Sequence, residues 1–211
     1  MHIPKKGLRS LGIAESYSGR EHSTLAGIVM RKDLIIDGFA FSRVSVGGMD
    51  ATEGVLAIVQ TLDRRDINVI FLSGCVIAFF NIINPQQIYE CTDLPVICVT
   101  YEDSAGLEGD ICHHFPGDTA RLDAYRRLGG RFIHTLPDGQ IVYLRSWGLD
   151  NEDAGRLCTA FTHEGKIPEP LRVARLSARA AHDFARLRGS GLEGSAGTAR
   201  SGDFISGKRE R

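Results

Sequence analysis

The chain of 211 residues predicts a mixed α/β sheet flanked by helices, in a single domain. Three observations carry this. Three strand-like runs follow one another near the N-terminus with short breaks between them. A stretch of helical period then leads to a fully apolar strand. A short helix and a second fully apolar strand come next, which is the strand–helix–strand order of parallel pairing.

Residues 8–15 read as a buried strand, and residues 23–31 and 34–45 as two more, with Lys32-Asp33 as a tight hairpin connection. Gly38 inside the third run predicts a bulge or a close backbone approach. Val55, Ile58, Val59 and Leu62 recur at helical spacing within residues 51–62. Residues 67–72 and 94–101 are the apolar strands, separated by a loop holding Phe79-Phe80-Asn81 and a helix at about 85–91. Residues 105–115 and 118–128 read as helices. Residues 132–134 and 140–144 pair as a late hairpin across Pro137-Asp138-Gly139. A helix over 152–163 has Asp150 or Asn151 as its N-cap, and an Ala/Arg-rich helix covers 171–187. Gly and Ser dominate from 189 on, too apolar-poor to offset the entropy of ordering, so 1–188 is expected as the folded domain and 189–211 as a disordered basic tail. A three-strand meander, a helix and a parallel strand–helix–strand unit match the ribonuclease H-like architecture, among other α/β layouts.

Composition is that of an ordinary globular protein, with 43% hydrophobic and 24% charged residues. No run approaches the roughly 18–20 apolar residues of a membrane span, and the basic N-terminus lacks an apolar signal core. A cytoplasmic protein without a membrane partner is expected. The five cysteines form no Cys-x-x-Cys pair, and four lie in apolar or helical stretches, which predicts reduced, buried thiols and no zinc site. The net charge of -1 hides an asymmetry: residues 171–211 carry nine Lys/Arg against four Asp/Glu, and the remainder carries sixteen against twenty-two. A basic end on an acidic body permits an anionic partner such as nucleic acid, and it also fits a solubilising tail.

The sharpest chemical signal is Glu15, placed where the apolar strand Leu11-Gly12-Ile13-Ala14 runs out. A carboxylate beside an apolar strand end is costly without a partner. Asp50 and Glu53 open the first helix and share one of its faces. If that helix starts beside the end of the first strand, three carboxylates converge. A hard divalent ion keeps several waters and needs only two or three of them. The same Asp-x-x-Glu is equally a capping box, in which Asp50 accepts from the Glu53 amide. Ser73-Gly74-Cys75 lacks the flanking pattern of a nucleophile elbow. His113 and His114 are adjacent on a helix, point to different faces and make no paired metal site. Gly47-Gly48 suits a close approach to a phosphate backbone or simply a turn.

Five blocks in order, LGIAESYS, VGGMDATEGVL, LSGCVIAFFNIIN, LPVICVTYE and GKIPEPLRVA, resemble the archaeal endonuclease-dU family over residues 3–185. That family is in turn similar to endonuclease V, a ribonuclease H-like nuclease. The resemblance implies an endonuclease V-like sheet and a metal-dependent endonuclease, using Mg2+ or Mn2+, that repairs DNA carrying a deaminated base, deoxyuridine first. No tightly bound organic cofactor is implied. The first acid of endonuclease V falls at Ala14 or Glu15, so the resemblance assigns catalytic and metal-holding roles to Glu15 and, at the start of the first helix, to Glu53. The third acid of endonuclease V falls on Ser73-Gly74, where a neutral hydroxyl replaces a carboxylate, so Asp50 or Asp37 would have to substitute for it. A basic His of that enzyme falls near Arg175, which can grip a phosphate but cannot act as a general base.

The resulting expectation is a nuclease with Glu15, Asp50 and Glu53 at the metal. Ser16, Tyr17, Gly47, Gly48, Ser73, Gly74 and Asn81 would line the nucleic-acid cleft, and Arg172 and Arg175 would contact the backbone. Tyr17 or Phe79-Phe80 offers a face for a base taken out of the stack. The rival is a non-catalytic nucleic-acid-binding protein on a decayed nuclease fold. A hydrolase using Cys75 is the third possibility.

Overall fold

The computed structural model describes residues 7–19 and 21–191. In chain order the elements are β1 (Arg9–Ser16), β2 (His22–Arg31), β3 (Ile36–Ser45), α1 (Ala51–Leu62), β4 (Val69–Leu72), β5 (Val76–Ile77), β6 (Asn81–Ile82), α2 (Pro85–Thr92), β7 (Val96–Thr100), α3 (Glu108–His114), α4 (Thr119–Arg127), β8 (Phe132–Thr135), β9 (Ile141–Trp147), α5 (Asn151–Phe161) and α6 (Glu169–Gly191). Seven strands form one mixed sheet in the order β3-β2-β1-β4-β7-β9-β8, and β5 and β6 form a separate small hairpin. β1, β4 and β7 run parallel at its centre, and the flanking pairs are antiparallel.

Period-two alternation sorts the central side chains between two cores. Leu11, Ile13, Ile70, Leu72 and Cys98 face the core shared with α1 and Ile111 of α3. Val69, Phe71, Ile97 and Val99 face the other, which α5 completes with Leu157 and Phe161. Two glycines set how closely helices approach. A Cβ on Gly12 would lie 2.5 Å from the Pro170 carbonyl carbon, so the start of α6 sits directly on β1. A Cβ on Gly54 would lie 2.4 Å from Val44, which brings α1 down onto β3.

Several details differ from the sequence expectation. The β2–β3 connection spans residues 32–35 rather than Lys32-Asp33 alone. Leu34 takes the left-handed conformation there, and the Arg31 amide donates to the Ile35 carbonyl. The bulge near Gly38 is present: Val29 pairs with Gly38 and Met30 with Ile36, leaving Asp37 over. That extra residue turns its carboxylate to Arg9 and Arg64, so Asp37 belongs to an ion-pair group with Asp66 and is no substitute ligand beside Glu15. Asp150 caps α5, accepting from the Asp153 amide at 2.8 Å. Helix α6 continues to Gly191, past the expected boundary, because extending an existing helix needs no new nucleus. The rest of the expected tail lies outside the described residues. All five thiols are free, but Cys91 and Cys112 are exposed, on helix faces turned from the core. Among the described residues no helix is long and apolar enough to cross a membrane.

Candidate functional site

The parallel triplet ends at Glu15-Ser16, Leu72-Ser73 and Thr100-Tyr101, and an open α/β sheet places its ligands at such carboxyl ends. Glu15 faces the α1 side. Its carboxylate accepts from the Ser23 hydroxyl at 2.6 Å and from the Ala78 amide at 2.8 Å, one bond per oxygen. A carboxylate offers about four acceptor sites, so Glu15 keeps capacity for a further partner.

Asp50 differs. Its Oδ1 accepts from the Ser45 amide and from Asn81 Nδ2 at 2.6 Å, and its Oδ2 from the Ser45 amide and hydroxyl. Burial pushes this carboxyl up, but the bonds from Asn81 and Ser45 outweigh it and hold it below the ordinary aspartate range. Three donors, the Ser45 amide shared between both oxygens, the Ser45 hydroxyl and the Asn81 amide, commit both oxygens. Nor does Asp50 cap α1 with its side chain. That task falls to Asn81 of β6, whose Oδ1 accepts from the Ala51 amide at 2.9 Å. Asp50 is therefore a brace for the β3–α1 turn, and the capping box is not formed. Glu53 stands exposed on the first turn of α1. Among the described residues, no three His, Cys, Asp or Glu side chains cluster so as to hold a metal ion, so Glu15, Asp50 and Glu53 do not meet as a triad.

The remaining expected residues divide. Asn81 is fully buried and committed to Asp50, Ser45 and Ala51, which removes it from any nucleic-acid surface. Arg172 is engaged by the Glu164 carbonyl and the Glu169 carboxylate, and it is not among the residues that line the cavity beside Ser73. Arg175 donates to the Ser73 hydroxyl at 3.2 Å, so these two do meet. Ser73, Gly74 and Arg175 line a cavity of about 780 Å³ with Tyr101 and Arg145. Ser16 ends β1, and Tyr17 just beyond it is exposed.

Sequence inspection missed Arg121. Only 4% exposed, it donates to the carbonyls of Gly47 and Gly48, each at 2.9 Å, and to that of Phe80, while its guanidinium lies 3.9 Å above the Phe115 ring. These bonds clamp the Gly47-Gly48 turn to the β5–β6 turn, in which Ala78, Phe79 and Phe80 are all left-handed. The Gly47 amide donates to the Ala78 carbonyl at 2.7 Å, and the Ala78 amide donates to Glu15. Three consecutive non-glycine residues in that region cost roughly 1–2 kcal/mol each. The turn presents Phe79, 42% exposed, in an aromatic group with Phe80, His114 and Phe115. His113 belongs to it too, its ring 4.9 Å from that of His114 rather than on a separate face. No spacing in the sequence announces an arginine that reaches across more than seventy residues.

A family model described as "Endonuclease dU" matches residues 6–182. A UPF0215 protein of Pyrobaculum aerophilum is 35% identical over 181 residues, covering 85% of this chain and 97% of that protein. A crystal structure of a protein of unknown function from Archaeoglobus fulgidus is similar at TM-score 0.72 and 28% identity, covering 82% of this chain and 98% of that one. Ciona intestinalis endonuclease V, in complex with a 24mer DNA containing an inosine followed by a ribo-adenosine, is similar at TM-score 0.60 and 15% identity, covering 85% and 88%. The last shares the fold: a mixed seven-stranded sheet between helices.

Proposed function

The chain belongs to the endonuclease dU family, and from that premise we propose that it cleaves a phosphodiester near a deaminated base, deoxyuridine first, in DNA repair. The observation that carries the proposal is the Glu15 carboxylate. It is held rigid by Ser23 and Ala78, keeps acceptor capacity, and lies at the end of a central strand whose neighbour opens into a cavity with arginines. Inosine-containing DNA in the Ciona relative supports a nucleic-acid partner.

The spare acceptor capacity of Glu15 suits a divalent ion of the magnesium class, which keeps most of its waters and takes one or two carboxylates. Glu15 would hold it, with Glu53 as the second acid, and Asp50 would stay in its brace. Such an ion would supply an activated water and charge for the leaving oxygen. The chain's own residues do the rest. Arg175 draws a phosphate toward Ser73, Gly47-Gly48 let a backbone come close, and Tyr17 or Phe79 offers a ring to an unstacked base.

The test is incubation with a labelled deoxyuridine duplex, an undamaged duplex and a deoxyinosine duplex, with and without Mg2+ or Mn2+. Cleavage confined to damaged strands is expected, lost in Glu15→Gln while the fold is kept, because the amide still accepts from Ala78. Cleavage surviving Glu15→Gln removes the assignment. The rival, DNA binding without cleavage, is favoured by the Ser73–Arg175 pair where an acid was expected. It predicts salt-sensitive binding, no product and no need of a divalent ion.

A further inference from the structure

The cavity at the ends of β4, β7 and β9 carries more cationic donors than its own residues use. Arg145 of β9 donates its Nε to the Gly129 carbonyl at 3.0 Å, which leaves both terminal nitrogens without a partner among the described residues. Arg175 of α6 donates to Ser73 and to no other group among the described residues. Neither pairs with a carboxylate among the described residues: the two acids that also line the cavity, Glu102 and Asp103, pair with Lys166 and Arg131. The Tyr101 hydroxyl is buried beside the Ser73 side chain and makes no hydrogen bond of good geometry among the described residues. Burial pushes its phenol well above the ordinary range, which keeps it a neutral O–H donor. A buried polar atom left unpaired calls for a ligand or water, and two guanidiniums with unused N–H donors at one cavity suit an anion with several oxygens. About 780 Å³ lies within the 300–1,000 Å³ range of ligand pockets and far exceeds the needs of a small inorganic ion.

We propose that this cavity is a phosphate-binding pocket of nucleotide size, in which Arg145 and Arg175 grip a phosphate group and Tyr101 donates to a ligand oxygen. The phosphate rests on the nucleic-acid reading above for its source, which is either a free nucleotide or one phosphodiester of a strand. The pocket opens at the end of the strand beside that of Glu15 and extends the same cleft, although Glu15 itself does not line it.

Calorimetric titration of the full chain tests this with inorganic phosphate, deoxyuridine monophosphate and a single-stranded deoxyuridine oligonucleotide, at constant ionic strength with EDTA. Arg145→Gln and Arg175→Gln are expected each to weaken binding at least tenfold, and Arg145→Lys less, while thermal midpoints confirm that the variants fold. Tight binding of the mononucleotide identifies a nucleotide site. Binding of the oligonucleotide alone, lost in both variants, identifies a strand phosphate. Affinities unchanged in both variants for all three probes overturn the proposal. Omitting the divalent ion separates the two questions: a chain that cleaves nothing yet binds through Arg145 and Arg175 keeps the pocket and loses the nuclease. Cleavage that depends on Glu15 but not on these arginines does the reverse.

Discussion

Replacing Arg121 with methionine keeps the apolar stem and removes the guanidinium that joins two turns. Three backbone carbonyls, of Gly47, Gly48 and Phe80, lose a charge-assisted donor, and Asp118 loses its ion-pair partner. Each such bond contributes about 1.5–3 kcal/mol. Three would exceed 4 kcal/mol if none were replaced. Both turns lie near the surface, so water recovers part of this, and a loss of about 3–5 kcal/mol is expected, the range for breaking a buried charged pair. That is a large share of a domain stability of about 5–15 kcal/mol. With a urea dependence of about 2 kcal/mol per molar, the unfolding midpoint falls by roughly 1.5–2.5 M. Arg121→Lys, a point donor that cannot span three carbonyls, should recover less than half. A methionine variant within about 1 kcal/mol of the parent would refute the reasoning and show that the left-handed turn at Ala78–Phe80 holds its own shape.

Other outcomes follow from packing and charge. Gly12→Ala and Gly54→Ala force a methyl against the Pro170 backbone and Val44, so each should cost about 1–3 kcal/mol and lower the thermal midpoint by several degrees. Leu34, left-handed and half-exposed, should accept glycine with a gain of up to about 1 kcal/mol, read as a rise in that midpoint. Burial holds the His134 imidazole below its ordinary value, so its stability contribution is complete above pH of about 6.5 and lost as pH falls below that. Urea unfolding between pH 5 and 7 should show this slope, and His134→Gln should flatten it. The Arg64 hydrogen bond holds Asp66 down to about 2, while at Asp37 the bonds from Arg9 and Arg64 outweigh burial. Their contribution is present above pH of about 4 and lost as pH falls toward 2, and Asp66→Asn should remove part of that acid sensitivity.

The helices and the strands of the main sheet were legible in the chain, because burial with a period of two or 3.6 residues is written locally, whereas the short β5–β6 hairpin stood where a loop was expected. Val55 and Ile58 on α1, the apolar runs of β4 and β7 and the Asp150 cap needed no knowledge of distant partners. Glu15 was legible for the same reason, as an acid ending an apolar strand. What each acid does was decided only by tertiary structure. Asp50 looked like a ligand or a cap, yet Ser45 and Asn81 commit both its oxygens, and Asn81 arrives from a separate hairpin. Arg121, the pairing of Arg175 with Ser73 and the unpartnered donors of Arg145 are long-range facts of the same kind. A hydrogen bond depends on where a side chain ends, and for these residues that is set by elements tens of positions away.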